Sequence, residues 1–237
     1  MNMKTIEITM QHITRGEIQS LNQRYRAQLI NSLSGFKSAN LIGTQDGEGK
    51  SNLAIISSVV HLGANPALVG FVMRPNNGER HTLDNIVTSK HYTINQVSAD
   101  IYQQAHQCSA RLPRHESEFV HTGLSAHYVG NINAPFVKES HIKYAVKVKE
   151  ILPIELNNTQ FIIGEIIHII CHKKAIQSDG YIDLEATNAV SVSGLDSYHK
   201  SSRLSRLSYA KPNMPLVQLD VTGTPKGSNN FQVGEAK

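Results

Sequence analysis

The stretch from Ser51 to Asn95 reads SNLAIISSVVHLGANPALVGFVMRPNNGERHTLDNIVTSKHYTIN. Its runs of β-branched and apolar residues predict two strands, Leu53–Val60 and Ala67–Met73, separated by a turn at Asn65-Pro66. The second strand leads into Arg74 and a loop that ends at Thr82, a good N-cap for a short helix. This layout can hold a phosphate at one end and a flat ring along a strand.

The segments on either side of this stretch predict further strands and a few helices. The pattern Thr14-Arg-Gly-Glu17 is a capping box, and the helix after it carries one apolar stripe that ends near Gly35. The remaining predicted elements are a strand Ser38–Gln45, a glycine turn Asp46–Gly49, a strand Tyr92–Val97, a helix from Asp100 with Ile101, Ala105 and Cys108 facing inward, a polar excursion Leu112–Thr122, a strand Ile142–Val148, a central strand Phe161–Cys171 and a turn Asp179-Gly180.

At least six strands and only three helices predict a mainly β protein. The order of the elements is neither a regular βαβ alternation nor an even series of short strands. The pattern therefore favours a closed or split β-barrel with peripheral helices. From Lys211 onward the chain has few apolar residues, so we expect a loose tail there.

Composition narrows the class of ligand. Of the 237 residues, 40% are hydrophobic and 18% are charged, and no run of about 18 apolar residues occurs, so we expect a cytoplasmic protein without a membrane span. The two cysteines, Cys108 and Cys171, are expected to be reduced. The basic residues behind the net charge of +4 are scattered, which favours a small anionic ligand over nucleic acid.

The sequence does not match the motifs of three common functional sites: a P-loop, a metal site and a serine hydrolase site. The segment GTQDGEGKS (43–51) has a Gly-Lys-Ser ending, but its spacing is wrong for a P-loop and it precedes a strand instead of a helix. His168 and His172 share one face of a strand while Cys171 points to the other, so no metal site is predicted. No Gly-x-Ser-x-Gly elbow is present for a serine hydrolase.

The loop after Ala67–Met73 is the best candidate for a phosphate site. Arg74, Arg80 and Thr82 can converge there, because a helix N-terminus offers free N–H groups and an arginine adds charge-assisted hydrogen bonds. The alternative is a solvated basic loop with an ordinary cap. Ser57 and Ser58 are likewise either ligand-facing or ordinary strand serines.

The sequence resembles the flavin-reductase-like, FMN-binding split-barrel proteins over about residues 30–212. The resemblance is carried by short motifs in the right order: Ser51-Asn-Leu-Ala54, Ser57-Ser58, Asn65-Pro66, Arg74-Pro75, Thr82-Leu-Asp-Asn85-Ile86, Thr93-Ile-Asn95, Ser117-Glu-Phe119, Gly123-Leu124, Ala134-Pro135, Glu139-Ser140, Gly164-Glu165 and Leu195-Asp-Ser-Tyr198. Many relatives have Lys-Asp before the threonine, where this chain has Arg80-His81.

The resemblance implies a homodimer with FMN at the subunit interface. By analogy, Ser57 and Ser58 face the ring edge, and Arg74, Arg80 and Thr82 hold the phosphate. Further neighbours of the cofactor are Asn52, Asn85, Ala134, Pro135 and Tyr198, some of them from the other subunit. The implied domains are a helical extension (1–36) packed on the barrel, the FMN-binding split barrel (37–212) and a loosely ordered tail (213–237).

The leading hypothesis from the resemblance is a flavin reductase. Hydride passes from NAD(P)H to the flavin, and the reduced flavin passes electrons to free flavin, a partner oxygenase or oxygen. This chemistry belongs mostly to the cofactor, so no catalytic residue is predicted. Two alternatives remain open: a non-enzymatic FMN carrier or sensor, and a related split-barrel oxidase that uses another phosphorylated cofactor such as pyridoxine phosphate.

Overall fold

The computed structural model describes residues 10–75 and 81–226. The helices are α1 (Arg15–Ser20), α2 (Gln23–Ser32), α3 (His81–Ser89), α4 (Tyr102–Gln107) and α5 (Glu118–Thr122). The strands are β1 (Lys37–Ser38), β2 (Asn40–Gln45), β3 (Ser51–Ile56), β4 (Val60–Ala64), β5 (Ala67–Met73), β6 (His91–Gln96), β7 (Ala126–His127), β8 (Phe136–Val137), β9 (Ile142–Ile154), β10 (Thr159–Cys171), β11 (Val190–Ser193), β12 (Ser197–Lys200), β13 (Arg206–Leu207) and β14 (Gln218–Leu219).

One large antiparallel sheet dominates the molecule. Its seven strands follow the order β3-β2-β6-β9-β10-β5-β4, so β10 lies inside the sheet between β9 and β5, as its apolar sequence predicts. The register between β9 and β10 shifts at Ile163/Gly164 and again at Ile166/His168, and such bulges bend a strand. The prediction of a mainly β fold is confirmed.

The predicted strand Leu53–Val60 is two strands, because the chain leaves the sheet after Ile56. In the connection to β4, the Ser58 hydroxyl donates to the Val72 carbonyl (3.2 Å) and accepts from the Val72 N–H (3.1 Å). A side chain thus makes the two hydrogen bonds that a strand neighbour would otherwise make with β5. This contact joins the segment that follows β3, one edge strand of the sheet, to β5, which lies next to the other edge strand; we refer to this place as the split of the barrel.

The hydrophobic core has two main parts. The barrel interior is filled by Ile42, Val69, Phe71, Leu83, Ile86, Tyr92, Ile94, Val146 and Ile162. A second cluster lies where α4, α5 and the β11–β12 hairpin pack on the outside of β2 and β3, and it includes the predicted inward residues Ile101, Ala105 and Cys108. Both faces of β2 are therefore buried, which fixes β3 beside it.

The N-terminal helix differs from the prediction. The capping box of Thr14 and Glu17 is present, but α1 ends at Ser20 and a second helix begins after Asn22, whose side chain accepts from the Arg24 N–H. Within the predicted apolar stripe, Tyr25 and Ile30 are exposed. None of the helices in the described ranges is long and apolar enough to span a membrane.

Order also extends further than predicted in two segments. The polar excursion contains α5, which buries Glu118 and Phe119. Near the C-terminus, β14 pairs with β13, and Arg206 anchors this hairpin to Asp179 at 2.5 Å. Strand β14 is thus paired within the segment expected to be a loose tail, and residues 227–237 of that segment lie outside the described residues. The predicted turn at Asp179-Gly180 is present, with Gly180 at a φ of 85°.

Candidate functional site

A cavity of about 1130 Å³ lies beside the split of the barrel. One part of its lining, the barrel wall, comes from β3 and the segment after it, the end of β5 and the start of α3 (residues 52–58, 72–75 and 81–83). The other part, the flanking wall, comes from α2, the segment after α4 and the β11–β12 hairpin (residues 24–28, 106–113 and 192–198). The cavity therefore joins the barrel to the segments around it.

A network of buried amides and hydroxyls fixes the floor of the barrel wall. The Asn52 amide donates to the hydroxyls of Thr82 (2.9 Å) and Thr44 (3.3 Å), and the buried Asn85 amide donates to Thr44 (3.1 Å). Thr82 lies inside the first turn of α3 because the helix begins at His81, so Thr82 is not the N-cap. Since its oxygen accepts from Asn52, the Thr82 O–H remains able to donate into the cavity.

The two neighbouring serines have different environments. Both line the cavity, but Ser58 has both hydrogen-bonding functions committed to Val72. The Ser57 hydroxyl has no partner within residues 10–75 and 81–226, although its side chain is half-buried. The sequence predicted both serines inside a strand, Leu53–Val60. This prediction is wrong, because β3 ends at Ile56. Of the two, Ser57 is the one that can bond a ligand.

Arg74 leaves the end of β5 and lines the cavity, where the sequence places a phosphate site. Its guanidinium donates to the Asn31 side chain on α2 at 3.0 Å. Within residues 10–75 and 81–226, this neutral amide is the one hydrogen-bond partner of Arg74, and no acidic side chain there pairs with its charge. The predicted partner Arg80 lies outside the described residues. Arg74 and Thr82 line the same cavity, and their role in holding a phosphate stays a prediction.

Glu118 is an acid in this site that the sequence did not single out. Its carboxylate accepts from the Leu53 N–H at 2.9 Å, and the side chain lines the cavity while the residue is buried. Burial raises the pKa of Glu118 above its ordinary value, against opposing contributions from the Leu53 hydrogen bond and from His81 and His121. Ser117-Glu-Phe119 appeared in the sequence only as a motif without a role.

Tyr198, another predicted site residue, stands on β12 in the flanking wall. Its hydroxyl lies 3.1 Å from His106 Nδ1, and the two rings meet edge to face at 5.7 Å between centroids. Burial raises the pKa of Tyr198, so the phenol stays protonated. These rings give the flanking wall an aromatic surface.

Ala134 and Pro135 lie away from the cavity of their own chain. Both are buried, and the Pro135 carbonyl accepts from Thr93 at 2.5 Å. It also passes so close to Gly43 that a Cβ there would lie 2.1 Å from the oxygen. The resemblance allowed these residues to act from a second subunit, and that assignment stays a prediction.

The site suits an elongated ligand with a flat ring and an anionic end. Ser57 and the backbone after β3 offer hydrogen bonds beside apolar Ile55, Ile56 and Met73, while Arg74 and Thr82 offer donors to an anion. Such a set of mostly apolar walls with a few convergent polar groups is typical of cofactor sites. Within the described ranges, no cluster of three or more metal-ligating side chains occurs.

Comparison with known proteins decides the family. A model of the flavin reductase like domain matches residues 33–184, which include the whole barrel wall. The chain belongs to the flavin reductase like domain family. This flavin reductase family member also superimposes on the crystal structure of a candidate flavin reductase with a split barrel domain from Shewanella frigidimarina NCIMB 400. The TM-score is 0.82 with 52% sequence identity, over 85% of this chain and 100% of that one.

More distant structures share the fold. Nitrilotriacetate monooxygenase component B from Bacillus cereus matches with a TM-score of 0.75 and 20% identity, over 84% of this chain and 100% of that one. Among sequences, an uncharacterized protein of Halalkalibacterium halodurans is 28% identical over 156 residues, which are 63% of this chain and 74% of that one.

The predictions of the family, of the split-barrel fold and of a flavin-binding oxidoreductase are confirmed. The cavity residues that the sequence did not indicate include Glu118, Arg24 and Arg111. Glu118 could have been found from its place in a family motif. Arg24 lies before the family match begins, so no motif pointed to it.

Proposed function

We propose that this protein is an NAD(P)H-dependent flavin reductase that binds FMN in the cavity beside the barrel split. The observation that carries the proposal is the convergence of Ser57, Arg74 and Thr82 on one cavity within the family domain. A flavin held by these residues would supply the redox chemistry, the acceptance of a hydride from NAD(P)H with oxidation of the nicotinamide. The protein binds and orients both reactants.

The residues present fit FMN better than a flavin without phosphate. Arg74 carries a positive charge whose one described hydrogen bond goes to the neutral Asn31 amide, and a phosphate can add charge-assisted bonds to it. The Thr82 hydroxyl, held by Asn52, adds a donor beside the start of α3, where free N–H groups favour an anion. Ser57 and the backbone of residues 54–58 would then meet the polar edge of the ring. Asn85 donates to the Thr44 hydroxyl, which also accepts from Asn52, and so helps to hold Asn52 in place.

We also propose that the protein works as a homodimer. One outer face of the sheet, the apolar sheet face, is formed by Val60, Val72, Leu152, Phe161 and Ile163, which the register of β4, β5, β10 and β9 places side by side. Val60 is 45% exposed and Leu152 is 39% exposed. Val72 also lines the cavity, so a second copy seated on this face would reach the flavin site.

The first test is an assay of NADH and NADPH oxidation by the purified protein with added FMN. We expect a flavin absorption spectrum perturbed by the protein and sustained oxidation of at least one nucleotide. Perturbation of the spectrum without turnover would instead identify a flavin carrier or sensor. Displacement of FMN by pyridoxine phosphate at similar concentration would favour a split-barrel oxidase.

A further inference from the structure

The cavity has a larger volume and more cationic side chains in its lining than the binding of FMN alone requires. Its volume of about 1130 Å³ is above the roughly 300–1,000 Å³ of pockets that hold one small ligand. Much of the flanking wall, including α2 and the β11–β12 hairpin, lies outside the family match at residues 33–184. The features that distinguish this chain from the rest of the family are therefore expected in these segments.

Helix α2 directs its polar side to the cavity. Arg24, Ala27 and Gln28 line it, with the spacing of one helix face, and Asn31 on the same face holds Arg74. Gln28 donates to Asp196 of the β11–β12 connection at 3.2 Å. The helix is thus fixed to both walls, and Arg24 has a defined position at the cavity.

Arg24 is an unusual residue at its position. It lies in the first turn of α2, where the helix dipole disfavours a positive charge, and this turn contains no acidic residue. Its guanidinium has no partner in the described part of the chain, whereas Arg26 donates to the carbonyls of Gln19 (2.9 Å) and Leu21 (3.4 Å). Among residues 10–75 and 81–226, therefore, no side chain or carbonyl holds the Arg24 guanidinium.

Arg111 is a second cavity arginine whose guanidinium has no partner among the described residues. It lines the flanking wall in the segment after α4, and none of the described residues pairs with it. The two acids that line the cavity form no ion pair with either arginine: the described partners of their carboxylates are the Gln28 amide for Asp196 and the Leu53 N–H for Glu118. In the part of the chain that the structure describes, the flanking wall thus presents two guanidinium groups without a partner.

The phosphate site proposed for FMN does not need Arg24. Arg74 is held at Asn31, seven residues after Arg24, and seven residues span about 10 Å of helix. The two arginines can therefore bind different anionic groups. The aromatic surface of Tyr198 and His106 belongs to the same wall as Arg24 and offers a face to a second flat ring.

We infer that Arg24 and Arg111 bind phosphoryl oxygens of the nicotinamide nucleotide, which lies against the flanking wall while the flavin lies against the barrel wall. This inference rests on the proposed function and adds the residues that recognise the hydride donor. The phosphoryl oxygens come either from the pyrophosphate shared by NADH and NADPH or from the additional ribose phosphate of NADPH.

The test compares Arg24→Ala and Arg111→Ala with Arg15→Ala, which removes the same charge from exposed α1 outside the cavity. Steady-state kinetics with NADPH and NADH, calorimetric titration of NADP⁺ into the flavin-loaded protein, and the Kd for FMN are measured for each. We expect the KM for NADPH and the Kd for NADP⁺ to rise about tenfold or more in the two cavity variants. The kcat and the Kd for FMN stay close to wild type, as they do in Arg15→Ala.

Equal increases in KM for NADH and NADPH assign the contact to the pyrophosphate, and an increase for NADPH alone assigns it to the ribose phosphate. Unchanged KM and NADP⁺ affinity in both variants, with a wild type that turns over, would overturn the inference and leave the proposed function intact. A wild type that binds flavin but oxidises neither nucleotide and binds no NADP⁺ would overturn both.

Discussion

Ser57 and Ser58 are neighbours in sequence with separable roles. The Ser58 hydroxyl makes two hydrogen bonds to the Val72 backbone, so Ser58→Ala should lower the free energy of unfolding by about 1–3 kcal/mol. Ser57→Ala should leave stability within about 0.5 kcal/mol of wild type and weaken flavin binding by roughly two- to tenfold. Chemical denaturation and flavin titration of both variants check this. Similar stability losses in both would contradict the assignment.

Glu118 should make stability depend on pH. Because burial raises its pKa in the folded protein, the folded state keeps the proton to higher pH than the unfolded chain does. Stability from this group is therefore full below the ordinary glutamate value of 4.5 and is lost as pH rises through the folded pKa. Glu118→Gln keeps an acceptor for the Leu53 N–H and does not ionise.

The measurement is the melting temperature of wild type, Glu118→Gln and the exposed control Glu155→Gln, from just below the ordinary glutamate pKa of 4.5 up to about pH 8. The advantage of Glu118→Gln over wild type should grow as pH rises. A difference that is constant with pH, or one shared by Glu155→Gln, would show that Glu118 is not the titrating group.

The sequence identified the residues of the cavity better than the hydrogen-bond partners of those residues. Asn52, Ser57, Arg74, Thr82 and Tyr198 do line one cavity, because their motifs sit at fixed places on β3, β5, α3 and β12. Periodicity could not show that Ser58 bonds across the barrel split, since this contact joins segments 14 residues apart. Burial of Glu118 likewise depends on tertiary packing of α5 against β3.

Among the elements, the β13–β14 hairpin lies beyond the family match and depends on Arg206. This guanidinium bonds Asp179 (2.5 Å) and the Val221 carbonyl (2.6 Å), and it lies 4.2 Å from the centre of the Tyr181 ring. Arg206→Ala should loosen the hairpin, with faster amide exchange at Ser208, while flavin affinity stays unchanged. The exposed control Lys211→Ala should leave exchange unaltered, and equal exchange in the two variants would refute the anchoring role.

Helices, strands and turns were predicted well where a few consecutive residues encode them. They were predicted less well where they depend on contacts between residues far apart in the sequence. The capping box and the glycine turn are encoded within a few residues and are present as predicted. The break between α1 and α2 was missed because Asn22 interrupts an apolar stripe that otherwise continues. The C-terminal hairpin was missed because charged contacts to residues 179–185, and not apolar residues of its own, hold it.

For the whole molecule, the apolar sheet face predicts a dimer. Val60→Glu places a charge on this face at the edge strand β4, where burial against a second copy would be costly, and should produce monomers. Sedimentation velocity compares it with Leu156→Glu, which alters a fully exposed residue in the β9–β10 turn, with 99% exposure. A dimer in both variants, or a monomeric wild type, would contradict the proposed interface.

We propose above that the cavity holds a flavin by its ring and its phosphate. The most direct measurement is the titration of FMN and riboflavin into wild type and Arg74→Ala, followed by flavin absorption. We predict that wild type binds FMN more tightly than riboflavin, and that Arg74→Ala loses about tenfold or more in FMN affinity with little change for riboflavin. Equal losses for both ligands, or no flavin binding by the wild type, would contradict the claim.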